Sequence, residues 1–444
     1  MPVSISPTIC KFYFILVSGL LEFAITAQST RAWLRFSDLS TTIPNLRHLR
    51  AFREVADCRS ISRASRTLYL SQPAITQAIA RLEKLLDTRL FDRRSDGVFT
   101  TESGELFLHR VERAMERLAA GAKEAPRSGG GRSARRSPWE HMTTTTQLRA
   151  LIAVSEARNF SLAARSIGIS QPSLHRSARE LESLLDIALF EKTSQGISLT
   201  RPAKVLARSA KLAFSEIRQG MDEIGVLHGV DAGRITLGSM PLARSYILPS
   251  AINDLSRSHP NARISVMDGP YDDLLHHLRY GDIDILIGAL RHPAPTDDVI
   301  QESLFAPPLA VVARAQHPLV GKESIDTNDL RRFPWVVPRT GTPTRKHFEA
   351  IFTRARVPLP TSVIESSSLI LVRGLLQESD RLTIISAHQV LQEQKLGLLV
   401  SLPFDMRHTR RPIGLTMRRN WQPTRIQETF LELLRDRGRH LLQQ

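Results

Sequence analysis

The stretch SQPAITQAIARLEKLLDTRLF, Ser71–Phe91, returns as SQPSLHRSARELESLLDIALF at Ser170–Phe190, 170 − 71 = 99 residues later and without a gap in either copy. Setting residue n against n + 99 over Leu49–Thr101 gives about twenty identities. Leu49/Leu148, Val55/Val154, Ser62/Ser161, Ala64/Ala163, Arg66/Arg165 and Gly97/Gly196 are among them. The identities fall at apolar, capping and turn positions, so the chain carries an internal duplication, and any fold assigned to one copy must suit the other.

Each copy reads as three short helices and a hairpin. In the first, Leu49, Phe52, Val55 and Ala56 share one helical face of Leu46–Asp57. Ser60 caps a second helix, which carries Ala64 and Leu68. Ser71 caps a third, and Pro73 sits in its first turn, where a missing N–H does no harm. Ile75, Ile79, Leu82 and Leu86 supply that helix's buried stripe. Arg89–Thr101 reads as a two-stranded wing turning at Gly97, followed by a helix over Glu102–Lys123 with Leu106, Val111, Met115 and Leu118 apolar. The second copy repeats the series and ends in a helix over Pro202–Val226. Its Leu206, Ala210, Leu212, Ala213 and Ile217 form a stripe expected to meet a partner chain.

The third helix has a second face. In the first copy it shows Gln72, Thr76, Gln77, Arg81 and Lys84; in the second, Gln171, Ser173, His175, Arg176 and Arg179. A major groove admits one helix, and side chains of these types read base edges there. Helix N-termini and basic wing residues hold phosphates, a role that fits Arg93, Arg94 and Lys192; Ser71, Pro73 and Ser170, which open the two helices, are counted with the DNA-binding residues. The formal charge of +16, from 60 Lys and Arg against 44 Asp and Glu, favours a polyanionic partner.

Between the copies, Gly121–His141 is rich in Gly, Ser, Pro and Arg and reads as a linker. The apolar run Phe12–Ala27 is interrupted by Glu22 and is too short to span a bilayer. Two readings stay open for it: an export signal, which conflicts with DNA binding, and an over-extended start or accessory tail, which the DNA modules favour. From Arg234 onward β-rich runs (RITLGSM, ARISVMD, IDILIG, then LAVVA, WVVP, SVIE, LTIIS and PIGLTM) alternate with helical stretches. That alternation predicts an α/β domain with largely parallel sheets.

The run from Leu49 through Gly104, above all SRASRTLYLSQPAITQAIARLE and LFDRR, resembles the winged helix-turn-helix of LysR-type transcriptional regulators, and residues 143–200 resemble it again. The family normally has one such domain, so this chain is similar to its rarer double members. The resemblance implies an α/β multidomain fold with two winged helix-turn-helix domains and a two-lobed effector-binding domain like a type 2 periplasmic binding protein. The boundaries then fall at 1–44 (N-terminal extension), 45–104 (first winged domain), 105–142 (helix and linker), 143–201 (second winged domain), 202–231 (linker or dimerisation helix) and 232–444 (effector domain). Lobe I takes 232–305 and 405–444, and lobe II takes 306–404. In such a domain strand ends and helix N-termini converge on a cleft. GSMPLARSY, PRTGTPTR and ESSSL lie at such junctions. They give Ser239, Met240, Leu242, Arg339, Thr340, Thr342, Ser366 and Ser367 as ligand candidates, with Asp268 and Gly288 at neighbouring strand ends. Arg339 and Arg345 suit a carboxylate or sulfonate.

The partners implied are double-stranded DNA, a small effector such as an organic acid or a sugar, and a second copy of the chain in a homodimer or homotetramer, all in the cytoplasm and without a membrane. Two cysteines, Cys10 and Cys58, make neither a disulfide framework nor a zinc site. No P-loop, no HExxH and no nucleophile–base pair at telling spacing appears, so no cofactor, metal or catalytic residue is assigned.

Overall fold

The computed structural model describes residues 43–128, 142–194, 196–229 and 233–442. The apolar run Phe12–Ala27 and most of the predicted linker lie outside them. The described residues divide into two compact units: one holds those up to Thr101 together with those between Val111 and Arg218, the other Glu102–Arg110 together with those from Gln219 onward.

In the first unit the duplication is visible element by element. Helices α1 (Leu46–Cys58), α2 (Ile61–Thr67) and α3 (Gln72–Leu86) precede a hairpin of β1 (Phe91–Arg94) and β2 (Gly97–Thr100), then the long helix α4 (Glu102–Ser128). The second copy gives α5 (Thr145–Ala157), α6 (Phe160–Ser166), α7 (Gln171–Leu185), β3 (Phe190–Thr193), β4 (Gly196–Leu199) and the long helix α8 (Arg201–Leu227). Ser71 and Ser170 accept from the backbone N–H three residues on, and each is followed by a first-turn proline. Arg59 and Arg158 end α1 and α5 in the left-handed region, as Asp87 and Asp186 end α3 and α7. Phe52, Val55, Ile75, Ile79 and Leu82 fill the first core; Val154, Ala163, Leu174 and Ala178 fill the second.

Each hairpin is fastened at two places. Glu83 Oε1 accepts from the N–H groups of Leu90 (2.9 Å) and Phe91 (3.4 Å), and Glu182 Oε1 does the same for Leu189 (2.8 Å) and Phe190 (3.2 Å). The Val98 N–H reaches the Arg59 carbonyl, and the Ile197 N–H reaches that of Arg158. A Cβ on Gly97 would stand 3.0 Å from that Arg59 oxygen, at φ 155°, which is why a glycine turns this wing.

The long helices differ from the reading above in three ways. Helix α4 runs through Gly121 and Pro126 to Ser128, into the segment read as linker. Leu106 is exposed, and Phe107, wholly buried, takes the inward position. The stripe of α8 does not await a partner chain. Within the first unit α4 and α8 pack antiparallel: Gly121 abuts Ser209, Arg113 pairs with Glu216 at 2.8 Å, and Arg117 lies 3.9 Å from Glu216. Val111, Ala114, Ala210, Ala213, Phe214 and Ile217 are buried there.

The second unit holds two five-stranded sheets. Lobe I orders β6 (Arg263–Asp268), β5 (Arg234–Ser239), β7 (Ile285–Ala289), β14 (Ile413–Arg418) and β8 (Val299–Phe305). Lobe II orders β11 (Val363–Glu365), β10 (Trp335–Val337), β12 (Leu382–Ser386), β9 (Leu309–Arg314) and β13 (Leu399–Ser401). In each, three neighbouring strands pair in parallel and the last two pairings are antiparallel, so four of the five strands run one way and one, β14 or β9, runs against them. The chain crosses between lobes after β8 and returns into β14, which makes an antiparallel addition unavoidable. Ile235, Leu237, Ile287 and Phe430 centre the first core; Trp335, Phe348 and Phe352 centre the second.

The paired wing clamps give a local test. Glu83→Ala leaves two wing amides without their acceptor, an expected cost of about 1–3 kcal/mol. In hydrogen exchange the Leu90 and Phe91 amides should lose protection while Leu189 and Phe190 keep theirs. Equal loss at both hairpins contradicts independent clamping.

Candidate DNA interface and ligand cleft

The polar faces of α3 and α7 are open. Ser71, Gln72, Pro73, Gln77, Arg81 and Lys84 are exposed and Thr76 is half-buried. Across the duplication, Ser170, Gln171, Ser173, Arg176 and Arg179 are exposed and His175 is half-buried. The two glutamines are held alike by the preceding helix: the Gln72 amide donates to Ser62 Oγ at 3.4 Å, and Ser161 Oγ donates to Gln171 Oε1 at 2.8 Å. Such a tether lowers the rotamer entropy lost when a glutamine engages a base edge.

Other faces diverge. The His175 ring stacks on Phe160, centroids 3.9 Å apart, where the first copy has Thr76 and Ile61. Arg179 is paired with Glu182 at 2.8 Å, and Ser173 is tied to the Ser170 cap. Arg81 is matched by Glu180, 99 residues on. On the wings Arg93 is exposed, while Arg94 lies over the Phe99 ring at 5.0 Å together with Arg59 at 5.4 Å. Ser198 replaces that phenylalanine in the second wing, where Lys192 is exposed.

The ligand candidates form two clusters in the second unit. In lobe I, Ser239 is wholly buried at the end of β5, and its hydroxyl has no hydrogen-bond partner. Met240 follows, and a Cβ on Gly288 would stand 2.6 Å from the Met240 side chain, so that glycine makes room for the methionine. Asp268 is engaged by Arg244 at 3.0 Å. No helix opens at once after β5: a 3₁₀ turn, Pro241–Ala243, intervenes and the helix starts at Ile247, which removes its N-terminus from Ser239.

In lobe II, Thr342 caps the helix Pro343–Ala355, and its hydroxyl also donates to the Arg339 carbonyl at 2.8 Å. Thr340 donates to Glu365 at 3.0 Å. Arg345, read as a carboxylate receptor, is already bound to Glu349 and Glu365, both at 2.8 Å, so an incoming anion competes with two resident ones. Ser366 Oγ accepts from the Ser368 N–H, and Ser368, absent from the reading above, caps the helix Leu369–Gln377. Ser367 is exposed.

One contact between the lobes falls to His388, a lone histidine to which the sequence gives no catalytic role. His388 is 4% exposed, and its Nε2 lies 2.6 Å from the Leu242 carbonyl, so that nitrogen carries the hydrogen. Nδ1 then accepts from the Ser386 hydroxyl at 3.0 Å. Burial holds this imidazole below its ordinary value against a smaller upward pull from the Leu242 carbonyl. Among the described residues no cluster of His, Cys, Asp and Glu is placed to hold a metal, and no helix is long and apolar enough to cross a membrane.

Comparison with known proteins gives matches along most of the chain. Residues 46–105 and again 145–204 match the family described as bacterial regulatory helix-turn-helix protein, lysR family, and residues 228–439 match the LysR substrate binding domain. The HTH-type transcriptional regulator GalR of Pseudomonas putida is 33% identical over 380 residues, 86% of this chain and 94% of that protein. The regulator PcaQ of Agrobacterium fabrum is 27% identical over 289 residues, 65% of this chain and 93% of that one. Among solved structures, a full-length OxyR variant from Pseudomonas aeruginosa is 23% identical with a TM-score of 0.48, covering 66% of this chain and 94% of its own.

The state of His388 has a measurable consequence. Its folded value lies below the free value of 6.5, so the unfolded chain takes the proton first. Stability should therefore fall as the pH drops below about 6.5. Burial depresses His48, His317 and His347 as well, so the informative quantity is the difference from a variant. In denaturation followed from neutral to mildly acid pH, His388→Gln should show a shallower acid loss than the parent. Parallel curves exclude His388 as a contributor.

Proposed function

The chain belongs to the LysR family of bacterial transcriptional regulators, with two helix-turn-helix domains and one effector-binding domain, and from that membership we propose which residues act. Helices α3 and α7 both enter major grooves, reading bases through Gln72, Thr76, Gln77 and Arg81 and through Gln171, His175 and Arg176. The observation that carries this is the pair of glutamines fastened alike to the preceding helix in copies that otherwise diverge. Arg93 and Arg94, with Ser71 and Ser170 at the helix N-termini, hold phosphates. Such a protein works where the chromosome is, in the bacterial cytoplasm, and performs no catalysis.

The effector site lies in the cleft between the lobes, near the buried Ser239 hydroxyl. A buried polar atom without a partner is rare enough to need an explanation, and a hydroxylated or carboxylate ligand supplies one. Thr340 and Ser366 are the contacts this reading assigns to the other lobe. A ligand shifts the regulator only by its difference in affinity between two states. Self-association, which the family membership suggests, falls to surfaces other than the α4–α8 stripe.

Two experiments test this reading. In gel shifts on the DNA upstream of the gene, the Gln72→Ala/Thr76→Ala variant and the Gln171→Ala/His175→Ala/Arg176→Ala variant should each lose affinity, by about 1–3 kcal/mol per base-reading pair removed. A variant that footprints like the parent at every salt concentration marks its module as a non-reader. In thermal shifts across small organic acids and sugars, a true ligand at 100 times its Kd should add about 2.7 kcal/mol. Thr340→Trp should abolish that gain and leave DNA affinity unchanged. A gain that survives the substitution places the ligand elsewhere.

A further inference from the structure

We infer that a single chain builds a complete two-half-site DNA reader, its modules paired about a pseudo-two-fold axis, and that its operator therefore consists of two unlike inverted half-sites. This rests on the reading of α3 and α7 as recognition helices.

The symmetry follows from which residues meet. A two-fold contact uses one surface patch on both partners, so contacts come in reciprocal pairs and residues on the axis meet their own counterparts. Tandem copies that merely follow one another make neither kind. Here the Leu46 N–H donates to Thr145 Oγ1 at 2.9 Å, and 145 − 46 = 99. Arg117 lies 3.9 Å from Glu216, and 216 − 117 = 99. Gly121 abuts Ser209, and Gly220, 99 residues beyond Gly121, abuts Arg110, 99 before Ser209. Both signatures of a two-fold are therefore present, at the N-termini of α1 and α5 and along the long helices.

Charge makes the pairing selective for unlike copies. Glu216 sits among Arg113 and Arg117, with side chains 7%, 15% and 27% exposed. Two first copies paired in the same register would set Arg113 against Arg117 and Arg117 against itself. Two second copies would set Glu216 against Glu216. Like charges so placed reject the wrong partner, and the tether gives the right one a high effective concentration.

The two readers are not alike. Ser, Gln and Pro are shared at 71/170, 72/171 and 73/172, but Thr76 faces His175 in the correspondence, Gln77 faces Arg176, Ala80 faces Arg179 and Arg81 faces Glu180. A two-fold frame presents its helices in opposite senses along the duplex, as paired half-site readers require. Half-sites read by such different faces share the position read by glutamine and differ beside it.

The test selects binding sites from a random duplex pool with the full chain. The expected parent site is two inverted, unequal half-sites at fixed spacing. The variant Ala74→Ser/Thr76→His/Gln77→Arg/Ala80→Arg/Arg81→Glu, which gives the first reader the exposed polar side chains of the second up to Glu180, should select a palindrome of the second half-site. A palindromic parent site, or a variant site unchanged from the parent's, overturns the inference while leaving a DNA-binding regulator. Selection of no site by the parent fails both readings.

Charge exchange decides independently, without altering the reading faces. Arg113→Glu/Arg117→Glu alone and Glu216→Arg alone should each abolish two-half-site binding. Both sets in one chain should restore it, and an equimolar mixture of the two single-set chains should not. Restoration by the mixture shows pairing between chains and overturns the inference, as does failure of the combined chain.

Discussion

The close approach of α4 and α8 is the contact on which the DNA-reading half of the chain depends. A winged module of about sixty residues buries only about 60% of the surface its unfolded chain exposes and is marginal alone. Each module here continues into a long helix whose small residues, Ala114 and Ala125 on one side and Ala203, Ala207, Ala210 and Ala213 on the other, leave room for a neighbouring backbone. Gly121 completes that room: a Cβ there would fall 2.4 Å from that of Ser209. The same packing holds the two modules to one another, so on the proposed reading it also governs how far apart α3 and α7 stand.

The charge cluster at Glu216 serves a different end. Desolvation pulls the Arg117 guanidinium down while Glu216 holds it up, so the pairing offsets a burial cost more than it adds stability. Its value lies in discrimination between like and unlike copies. The effector-binding half is built on other terms. There the lobes meet through a neutral histidine at the Leu242 carbonyl, and a serine hydroxyl is buried without a partner. Polar groups that a packed core would not leave in such positions are the usual mark of a binding site.

Much of this was readable from the residues. The 99-residue offset, the Ser-Gln-Pro caps, the apolar stripes of the third helices and the wing glycines all depend on local chemistry. The exceptions depend on distant partners. Gly121 and Pro126 read as linker because their helix-breaking tendency is local, whereas the packing that overrides it at Gly121 comes from Ser209, 209 − 121 = 88 residues on. Strand β8, VIQESLF, carries polar residues along the edge of its sheet and so hides from an apolar-run criterion. In the candidate cleft, position along the chain located strand–helix junctions but not the contacts made within them. Ser368 rather than Ser366 or Ser367 takes the cap, Arg345 is occupied by Glu349 and Glu365, and nothing near His388 in sequence announces a carbonyl from the other lobe.

The most direct measurement of the paired-module account is a cross-link between the helices themselves. In a chain whose Cys10 and Cys58 are replaced by serine, Gly121→Cys and Ser209→Cys place two thiols at the α4–α8 contact, within reach of a disulfide after a small separation of the helices. Oxidised in dilute solution and run without reductant, the protein should migrate as a single chain with altered mobility. It should resist release of the modules by a protease cut in the linker between them until reductant is added. A band of twice the chain mass as the main product would show that these helices pair between chains, and the account would be wrong at its centre.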